Sequence, residues 1–220
     1  GRRTESVDMK KIILDLCGGT GSWSRPYQEA GYDVRNITLP EYDVREYHPP
    51  DNVHGVLAAP PCDQFSFAKT TGKPRDLKQG ADIMFGCLRI IAECQYKLVS
   101  PYAKTTSLKF WALENPNGLM KRFLGKSSFT FDPWEFGENY KKKTFLWGWF
   151  NEPKKFVKNI NSAMTKEEIE LCKTKSRKLP KFDRLKTKEI HPEYYGKFTR
   201  QERRAITPAG FAKAFFEANP

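Results

Sequence analysis

The chain has 220 residues, of which 38 are Lys or Arg and 26 are Asp or Glu, so its formal net charge is +12. A hydrophobic fraction of 39%, with 14% aromatic residues, is enough for a packed core and excludes a wholly disordered chain. No apolar stretch reaches the roughly 18 residues of a membrane-spanning helix, and the first residues lack the apolar segment of a signal peptide. The five cysteines show neither Cys-x-x-Cys pairing nor metal-ligand spacing with the three histidines. This pattern predicts a cytoplasmic protein without a metal site.

The positive charge is concentrated in one part of the chain. Residues 141–204 hold 19 of the 38 basic residues and 8 of the 26 acidic ones, which gives this segment a net charge of +11. Aromatic residues are interleaved with these lysines. Lysines neutralise phosphates and aromatic rings stack on bases, so the segment predicts a nucleic-acid-binding surface. The alternative is a solvated, lysine-rich excursion with a small core of its own.

Residues 10–150 alternate between strand and helix patterns. Short apolar runs ended by Gly or Pro predict buried strands at 11–17, 53–59, 110–113 and 144–150. Helical patterns cover 25–30 and 82–98. Strands separated by helices indicate an α/β fold with a parallel, Rossmann-like sheet, which binds ligands at the carboxyl ends of its strands.

Beyond residue 150 the pattern is irregular. Residues 165–168 form a capping box, which predicts a helix to about residue 178. Thr199 and Glu202 form a second candidate box, and Thr207-Pro208 predicts the start of a terminal helix. A chain of this length makes one domain with at most a modest appendage.

A glycine-rich loop follows the first predicted strand and opens the first predicted helix. Glycines at such a turn let the backbone approach a ligand and leave helix N–H groups pointing at it; the alternative is a tight turn without a ligand. An acid three residues before Gly-Gly-x-Gly makes the loop similar to the S-adenosylmethionine loop of Rossmann-like methyltransferases. That resemblance implies cofactor contacts from Asp15, Leu16, Cys17, Gly18, Gly19, Gly21, Ser22 and Trp23.

The position expected to bind a ribose is unusual. An acid at the end of the next strand, about 20 residues further on, normally binds the ribose hydroxyls. Here Thr38 stands in that place and is followed by Leu39. Glu41 is near enough to substitute for the acid, and Asp43-Val44 are placed to contact the adenine edge.

Two further strand ends carry reactive side chains. Pro60-Pro61-Cys62 directly follows one predicted strand, and Glu114-Asn115-Pro116 ends the next. Because adjacent parallel strands end on one rim, we expect Cys62 and Glu114 to reach the same substrate ring. A thiol and a buried carboxylic acid suit attack on a pyrimidine, with the thiolate adding to C6 and the acid protonating N3. The alternative is that Cys62 is an inert small residue in a turn, which would be the better interpretation if Glu114 did not end the next strand.

The order and spacing of these motifs resemble those of the DNA (cytosine-5) methyltransferases, and the small, phage-type members are the most similar. The resemblance rests on residues 15–23, on Pro60-Pro61-Cys62 and on Glu114-Asn115, and it covers about residues 10–150 and 203–220. Residues 139–143, Asn-Tyr-Lys-Lys-Lys, lie where the family has Gln-x-Arg-x-Arg. Residues 206–212 are similar to the family's last motif, a helix that returns to the cofactor pocket.

The resemblance implies a Rossmann-like class I methyltransferase that moves a methyl group from S-adenosylmethionine to C5 of a cytosine flipped out of double-stranded DNA. It implies catalytic roles for Cys62, Glu114, Lys141 and Lys143 and a cofactor contact from Pro60. It also implies DNA contacts from Ser66, Lys69, Lys73, Arg75, Asn115, Lys142, Lys154 and Lys155.

The same resemblance divides the chain. It implies a catalytic core at 1–150, a small basic DNA-recognition region at 151–202 and a C-terminal helix that returns to the core at 203–220. It further implies a monomer without a membrane partner, in the cytoplasm of a bacterial or phage-infected cell. Because lysines contact phosphates rather than bases, the short recognition region predicts low or very short sequence specificity.

Two alternatives remain open from the sequence. Thr38 in place of the ribose acid allows the same Cys62 and Glu114 chemistry with another one-carbon donor, such as a folate that yields a hydroxymethyl group, or on tRNA. The second alternative is a catalytically degenerate fold that only binds DNA.

Overall fold

The computed structural model describes residues 9–69, 72–96, 106–163, 192 and 195–220, and the structural statements below refer to these residues. The strands are β1 (Ile12–Leu16), β2 (Asp33–Ile37), β3 (Val53–Ala58), β4 (Phe110–Pro116), β5 (Phe129–Phe131) and β6 (Thr144–Trp149). The α-helices are α1 (Arg25–Glu29), α2 (Leu77–Tyr96), α3 (Met120–Leu124), α4 (Arg200–Arg204) and α5 (Ala209–Ala218). Two 3₁₀ turns lie at Pro133–Phe136 and Ile160–Ala163.

The six strands form one sheet in the order β2-β1-β3-β4-β6-β5. The neighbours β2, β1, β3 and β4 are mutually parallel, whereas β6 runs antiparallel to both β4 and β5. The predicted α/β fold with a Rossmann-like, mostly parallel sheet is confirmed. The reversal of β6 corrects the expectation of an all-parallel sheet. It follows from the short path between β5 and β6, which holds a 3₁₀ turn and no crossover helix of the kind that parallel strands require.

Several predicted elements have different boundaries in the structure. The strand β2 contains charged residues and has mostly half-buried positions at the sheet edge, so no apolar run marks it. The three-residue strand β5 is too short to produce a pattern. The long helix α2 begins at Leu77, five positions before the predicted start. The predicted helix at 165–178 lies outside the described residues.

The two faces of the sheet carry separate hydrophobic clusters. On one face, α2 contributes Met84, Cys87, Ile90 and Ile91. On the other face, α5 packs Phe211 and Phe215 against Trp23 of the glycine loop. Phe211 also stacks on Phe131 of β5, with ring centroids 4.0 Å apart. The sheet is therefore covered on both sides, as its nearly continuous apolar strands require.

The end of the described chain is part of this core. The Tyr27 hydroxyl donates to the carbonyl of Asn219 at 2.7 Å. The Asn151 backbone N–H donates to Asn219 Oδ1 at 2.7 Å, and Asn219 Nδ2 donates to the Asn151 carbonyl at 2.9 Å. The segment that follows β6 is thus fastened to the terminal helix, while the domain division at 150 and 202 stays a prediction. Across the described ranges, no helix combines the length and apolarity needed to cross a bilayer.

A close contact between α5 and the first 3₁₀ turn leads to a stability prediction. A Cβ added at Gly210 would overlap the carbonyl oxygen of Phe136, which is backbone and cannot rotate away. We expect Gly210→Ala to lower the free energy of unfolding by about 1–2 kcal/mol, because overpacking outweighs the roughly 1 kcal/mol helix preference of alanine. Urea denaturation measures the change. Lys213→Ala, at an exposed position of the same helix, is the control and should stay within about 0.5 kcal/mol of the parent. An unchanged midpoint for Gly210→Ala would contradict the packing described.

Candidate active site

The carboxyl ends of three adjacent strands meet at one edge of the sheet. Leu16 of β1 is in register with Ala58 of β3, and Ala58 is in register with Leu113 of β4. The glycine loop, the Pro-Pro-Cys segment and Glu114 therefore leave the sheet at one level. Because β6 is antiparallel, its first residue Thr144 pairs with Pro116. The lysines at 141–143 consequently enter at the same edge.

A pocket of about 730 Å³ opens at this edge. Its lining includes Cys17, Cys62, Glu114, Lys142 and Arg204. A second cavity of about 570 Å³ lies between α1 and α5 and contains neither the thiol nor the carboxyl group. The pocket at the carboxyl edge is therefore the candidate active site, which is where open α/β sheets bind their ligands.

Cys62 is the candidate nucleophile, and its surroundings keep the thiol protonated. Burial raises the pKa of the Cys62 thiol, and the nearby carboxyl groups of Glu114 and Asp63 raise it further. The positive charges of Lys142 and Arg204 act in the opposite direction. The thiol thus becomes a nucleophile only when its proton is removed or when its adduct is captured.

Glu114 is placed to donate a proton. Burial raises the pKa of the Glu114 carboxyl group, and Lys142 partly opposes this increase. A carboxyl group in this setting keeps its proton to a higher pH than a solvated glutamate does. The pocket therefore brings together a thiol and a proton-donating carboxyl group that interact electrostatically.

Lys142 is the lysine of the 141–143 run that lines the pocket. Its ammonium group donates to the carbonyl of Arg204, which ties the segment before β6 to the end of α4. Lys143 is exposed and Lys141 is half-buried, and neither lines the pocket. The structure thus gives Lys142 the position at the site that the sequence analysis assigned to Lys141 and Lys143. Successive residues of an extended segment face opposite sides, so only the observed register distinguishes three consecutive lysines.

Asn115 joins the end of β4, which carries Glu114, to the loop that carries Cys62. Its side chain is buried, and Nδ2 donates to the carbonyl of Pro60 at 3.0 Å. This position differs from the surface DNA contact that the family resemblance implies. Two backbone bonds continue the connection, from Phe67 N–H to the Asn117 carbonyl at 3.1 Å and from Leu119 N–H to the Phe65 carbonyl at 2.7 Å.

Arg75 holds the loop after Cys62 in shape. Its guanidinium group donates to the carbonyls of Gln64 and Ser66, both at 2.8 Å. Ser66 is itself buried, and its hydroxyl accepts the N–H of Ala68. Arg75 and Ser66 therefore organise the loop instead of presenting a free surface to DNA. Lys69 lines the pocket.

The remaining lysines predicted to contact DNA divide into two groups. Lys155 forms an ion pair with Glu135 at 3.0 Å and donates to the carbonyl of Thr130 at 2.8 Å, so its charge is used within the fold. Lys73 and Lys154 are exposed and are placed where a phosphate could reach them.

Asp15 is the buried acid of the glycine loop. Its Oδ2 accepts the Ser24 hydroxyl at 2.5 Å, whereas Oδ1 has no hydrogen-bond partner within the described part of the chain. Burial raises the pKa of Asp15 to about 6, although the bonds from Ser24 oppose the shift. Trp23 Nε1 and Asn36 Oδ1 are likewise buried without a partner among the described residues. Three orphaned polar atoms around one loop indicate a polar ligand.

The sequence analysis missed Asn36. This residue lies opposite Asp15 in the β1–β2 register, and its Nδ2 donates to the carbonyl of Gly19 at 2.9 Å. A Cβ at Gly18 would come within 2.5 Å of both Asn36 Oδ1 and Asp15 Cγ, so only glycine fits between them. The side chain of β2 that reaches the glycine loop is thus Asn36, two residues before the expected Thr38. Strand register is the signal that would have found it.

The other predicted cofactor residues have varied surroundings. Leu16, Trp23 and Val44 are core residues, and Pro60 is buried beside the pocket. The Asp43 carboxylate binds the guanidinium group and backbone N–H of Arg45, and the Leu39 side chain is 64% exposed. The Ser22 hydroxyl accepts the N–H of Thr207 at 2.8 Å, which connects the glycine loop to the terminal motif.

Comparison with known proteins shows likeness to solved structures. No protein-family model matches the chain, and no curated protein matches it. Among solved structures, the chain is similar to a mutant of DNMT2 from Spodoptera frugiperda, with 16% sequence identity and a TM-score of 0.40. The match covers 64% of this chain and 50% of that one, so the chain spans half the length of its structural neighbour.

The burial of Asp15 predicts a pH-dependent stability change. The folded-state pKa of Asp15, about 6, lies above the ordinary value of 3.8. The protonated carboxyl group therefore contributes fully to the free energy of unfolding below pH 3.8, and this contribution is lost as the pH rises through 6. Asp15→Asn removes this loss. We expect the free energy of unfolding of the variant, relative to the parent, to be higher at pH 7.5 than at pH 4 by up to roughly 3 kcal/mol.

Asp43→Asn is the matched control for that experiment. The hydrogen bonds and charge of Arg45 lower the pKa of Asp43, so its contribution is present at neutral pH and is lost on acidification. Its substitution should therefore be more destabilising at pH 7.5 than at pH 4, which is the opposite trend. Denaturant melts at both pH values measure the two variants, and equal pH trends for both would contradict the burial assigned to Asp15.

The charge of Lys142 predicts the reactivity of the thiol. Lys142→Met removes a cation that lowers the pKa of Cys62, so less thiolate is present at pH 8. We expect alkylation of Cys62 by iodoacetamide to slow by about 3- to 10-fold. Peptide mass spectrometry follows Cys62 separately from the other cysteines. Lys143→Met, at the exposed neighbouring position, should leave the rate unchanged; equal slowing in both variants would refute the specific role of Lys142.

Proposed function

We propose that the chain is a cytosine-5 methyltransferase that acts on DNA and uses S-adenosylmethionine as the methyl donor. The observation that carries the proposal is the pairing of Cys62 with Glu114 in one pocket, which Cys17 of the glycine loop also lines. A thiol, a carboxyl group whose pKa is raised by burial, and a lysine lie at the ends of neighbouring strands and form a site for attack on a pyrimidine ring.

The residues of the pocket suit each stage of this chemistry. The Cys62 thiolate forms a bond to C6 of cytosine, and the proton of Glu114 passes to N3, so the electron pair of the C5=C6 bond becomes available at C5. After C5 has gained its substituent, N3 returns its proton to the Glu114 carboxylate and a solvent base removes the C5 proton. The electron pair of the C5–H bond re-forms the C5=C6 bond, and cleavage of the C6–S bond releases the Cys62 thiolate. Lys142 stabilises the negative charge of the thiolate throughout.

The glycine loop fits the proposed donor. Asp15 Oδ1 and Asn36 Oδ1 are buried acceptors without partners among the described residues, and they suit the ammonium and hydroxyl groups of S-adenosylmethionine. The absence of a side chain at Gly18 allows close approach of a ligand. The residues proposed to hold the donor are Asp15, Gly18, Gly19, Asn36 and Pro60. When bound, S-adenosylmethionine supplies an electrophilic methyl group.

The choice of a nucleic acid as substrate rests on charge, and the choice of DNA follows the family that the sequence motifs resemble. Residues 141–204 carry a net charge of +11, and the exposed Lys143 and Lys154 belong to this segment. Phosphate contacts of this kind bind nucleic acid without reading its bases. We therefore propose low sequence specificity, with a recognition site of three bases or fewer.

Covalent trapping tests the proposal. With S-adenosylmethionine and a duplex that contains 5-fluorocytosine, the protein should form an adduct that survives denaturing electrophoresis, because fluorine cannot leave C5 as a proton does. Cys62→Ala should abolish the adduct. Cys94→Ala removes a thiol from α2, outside the pocket, and should retain it.

Nucleoside mass spectrometry on ordinary DNA then identifies the product as 5-methylcytosine and maps the modified positions. A hydroxymethyl product formed only with a folate donor, or modification of tRNA but not DNA, would replace the present proposal with the corresponding alternative. If no donor gives an adduct or a product, the alternative of a catalytically degenerate fold that only binds DNA would replace the proposal. Modification confined to sites of four or more bases would refute the low specificity.

A further inference from the structure

An aromatic and cationic cluster lies beside the candidate active site and has no role in the chemistry above. We define the Phe67 cluster as Phe67, Lys121 and Phe145. Lys121 Nζ lies 5.4 Å from the ring centroid of Phe67 and 5.9 Å from that of Phe145. Phe67 is nevertheless 43% exposed. Large apolar rings that remain accessible beside a functional pocket are candidates for ligand contact.

The cluster joins the loop after Cys62, which carries Phe67, to α3 and β6, which carry Lys121 and Phe145. Phe67 lies five residues after Cys62, and its backbone N–H donates to the carbonyl of Asn117, three residues after Glu114. The adjacent residues Ser66 and Gly118 form an isolated β-bridge. A Cβ at Gly118 would overlap the Phe65 carbonyl, so the loops are in close contact. The Phe67 ring is therefore held at a defined position relative to the thiol.

The charge around the cluster favours a polyanion. Residues 117–131 contain three basic residues and no acidic ones. Residues 64–75 contain no acidic residue, and besides Arg75, which is bound within the loop, they contain Lys69 and Lys73. The Lys121 ammonium group is fixed by the Asn117 side chain at 3.3 Å and lies over aromatic faces. A flat ring with adjoining cations matches a nucleobase and its phosphates, because aromatic side chains stack on bases while lysines bind the backbone.

We propose that the Phe67 cluster stacks against the base next to the target cytosine. This inference rests on the proposed function, which places the target at Cys62. When the target leaves the helical stack, its neighbour loses a stacking partner, and the ring of Phe67 takes that place. Lys121 binds the adjoining phosphate. The partner of this surface is thus a nucleic-acid strand whose neighbouring base has one exposed face.

Oligonucleotides with and without the neighbouring base test the proposal. One set carries a single target cytosine in otherwise normal sequence, and the matched set has an abasic residue next to that cytosine. Fluorescence anisotropy measures the affinity of the full chain for each. Phe67→Leu should weaken binding to the normal set by about 5-fold or more, from the loss of one stacked base, and should leave binding to the abasic set unchanged.

Two control variants sharpen this comparison. Phe67→Tyr keeps an aromatic ring and should retain the affinity of the parent. Phe85→Leu removes a 60% exposed ring from α2, outside the Phe67 cluster, and should change neither affinity. Lys121→Gln should weaken both sets and should lower the slope of affinity against salt by about one ion.

The outcomes separate this inference from the proposed function. If the 5-fluorocytosine adduct forms but Phe67→Leu behaves like Phe85→Leu, the stacking role is overturned and the methyltransferase proposal stands. Equal losses on the normal and abasic sets also overturn it. A changed oligomeric state or unfolding midpoint in Phe67→Leu, with unchanged affinity, would show that protein covers the ring. If Phe67→Leu weakens binding to the normal oligonucleotides but the parent forms no 5-fluorocytosine adduct, the stacking surface is supported and the enzymatic proposal is overturned.

Discussion

A buried hydrogen bond between the Asn115 side chain and the Pro60 carbonyl connects the two halves of the candidate active site. It links the loop after β3 to the end of β4, which are the segments that carry Cys62 and Glu114. A buried carbonyl left without a donor costs about 1–3 kcal/mol, so the bond restrains both segments. The bridge at Ser66 and Gly118 extends the same connection outward. The relative position of the thiol and the carboxyl group is therefore set by the backbone of the loop after β3 and of the end of β4.

Burial of the Asp15 carboxyl group opposes the stability of the fold at neutral pH. Burial raises the pKa of each of three groups at the site, Asp15, Cys62 and Glu114. Asp15 is ionised at neutral pH despite its burial and keeps one oxygen without a partner among the described residues. A fold selected for stability alone would place a neutral or apolar side chain there. The retention of a buried acid beside the glycine loop is thus better explained by ligand binding than by structure.

The sequence predicts those features that depend on local pattern. Strands β1, β3 and β4 are covered on both faces, so they read as continuous apolar runs and their ends could be located. The strand β2 carries Asp33 and Arg35 at the sheet edge and gives no such run. Register cannot be read from composition either. For that reason the sequence pattern points to Thr38, whereas the structure places Asn36 opposite Asp15. For the same reason three consecutive lysines give no indication that Lys142 lines the pocket with Cys62.

The distribution of charge also changes when the fold is known. The sequence places most of the positive charge in residues 141–204, yet Lys142 and Lys155 of that segment are bound to groups within the protein. The stretches at 64–75 and 117–131 lie outside it, contain no acidic residue and meet beside the pocket. Binding to phosphate depends on where cations lie, and not on the total charge of a segment. The nucleic-acid surface that we propose is therefore best placed around the loop that carries Cys62 and the segment that follows Glu114, with the basic segment extending it.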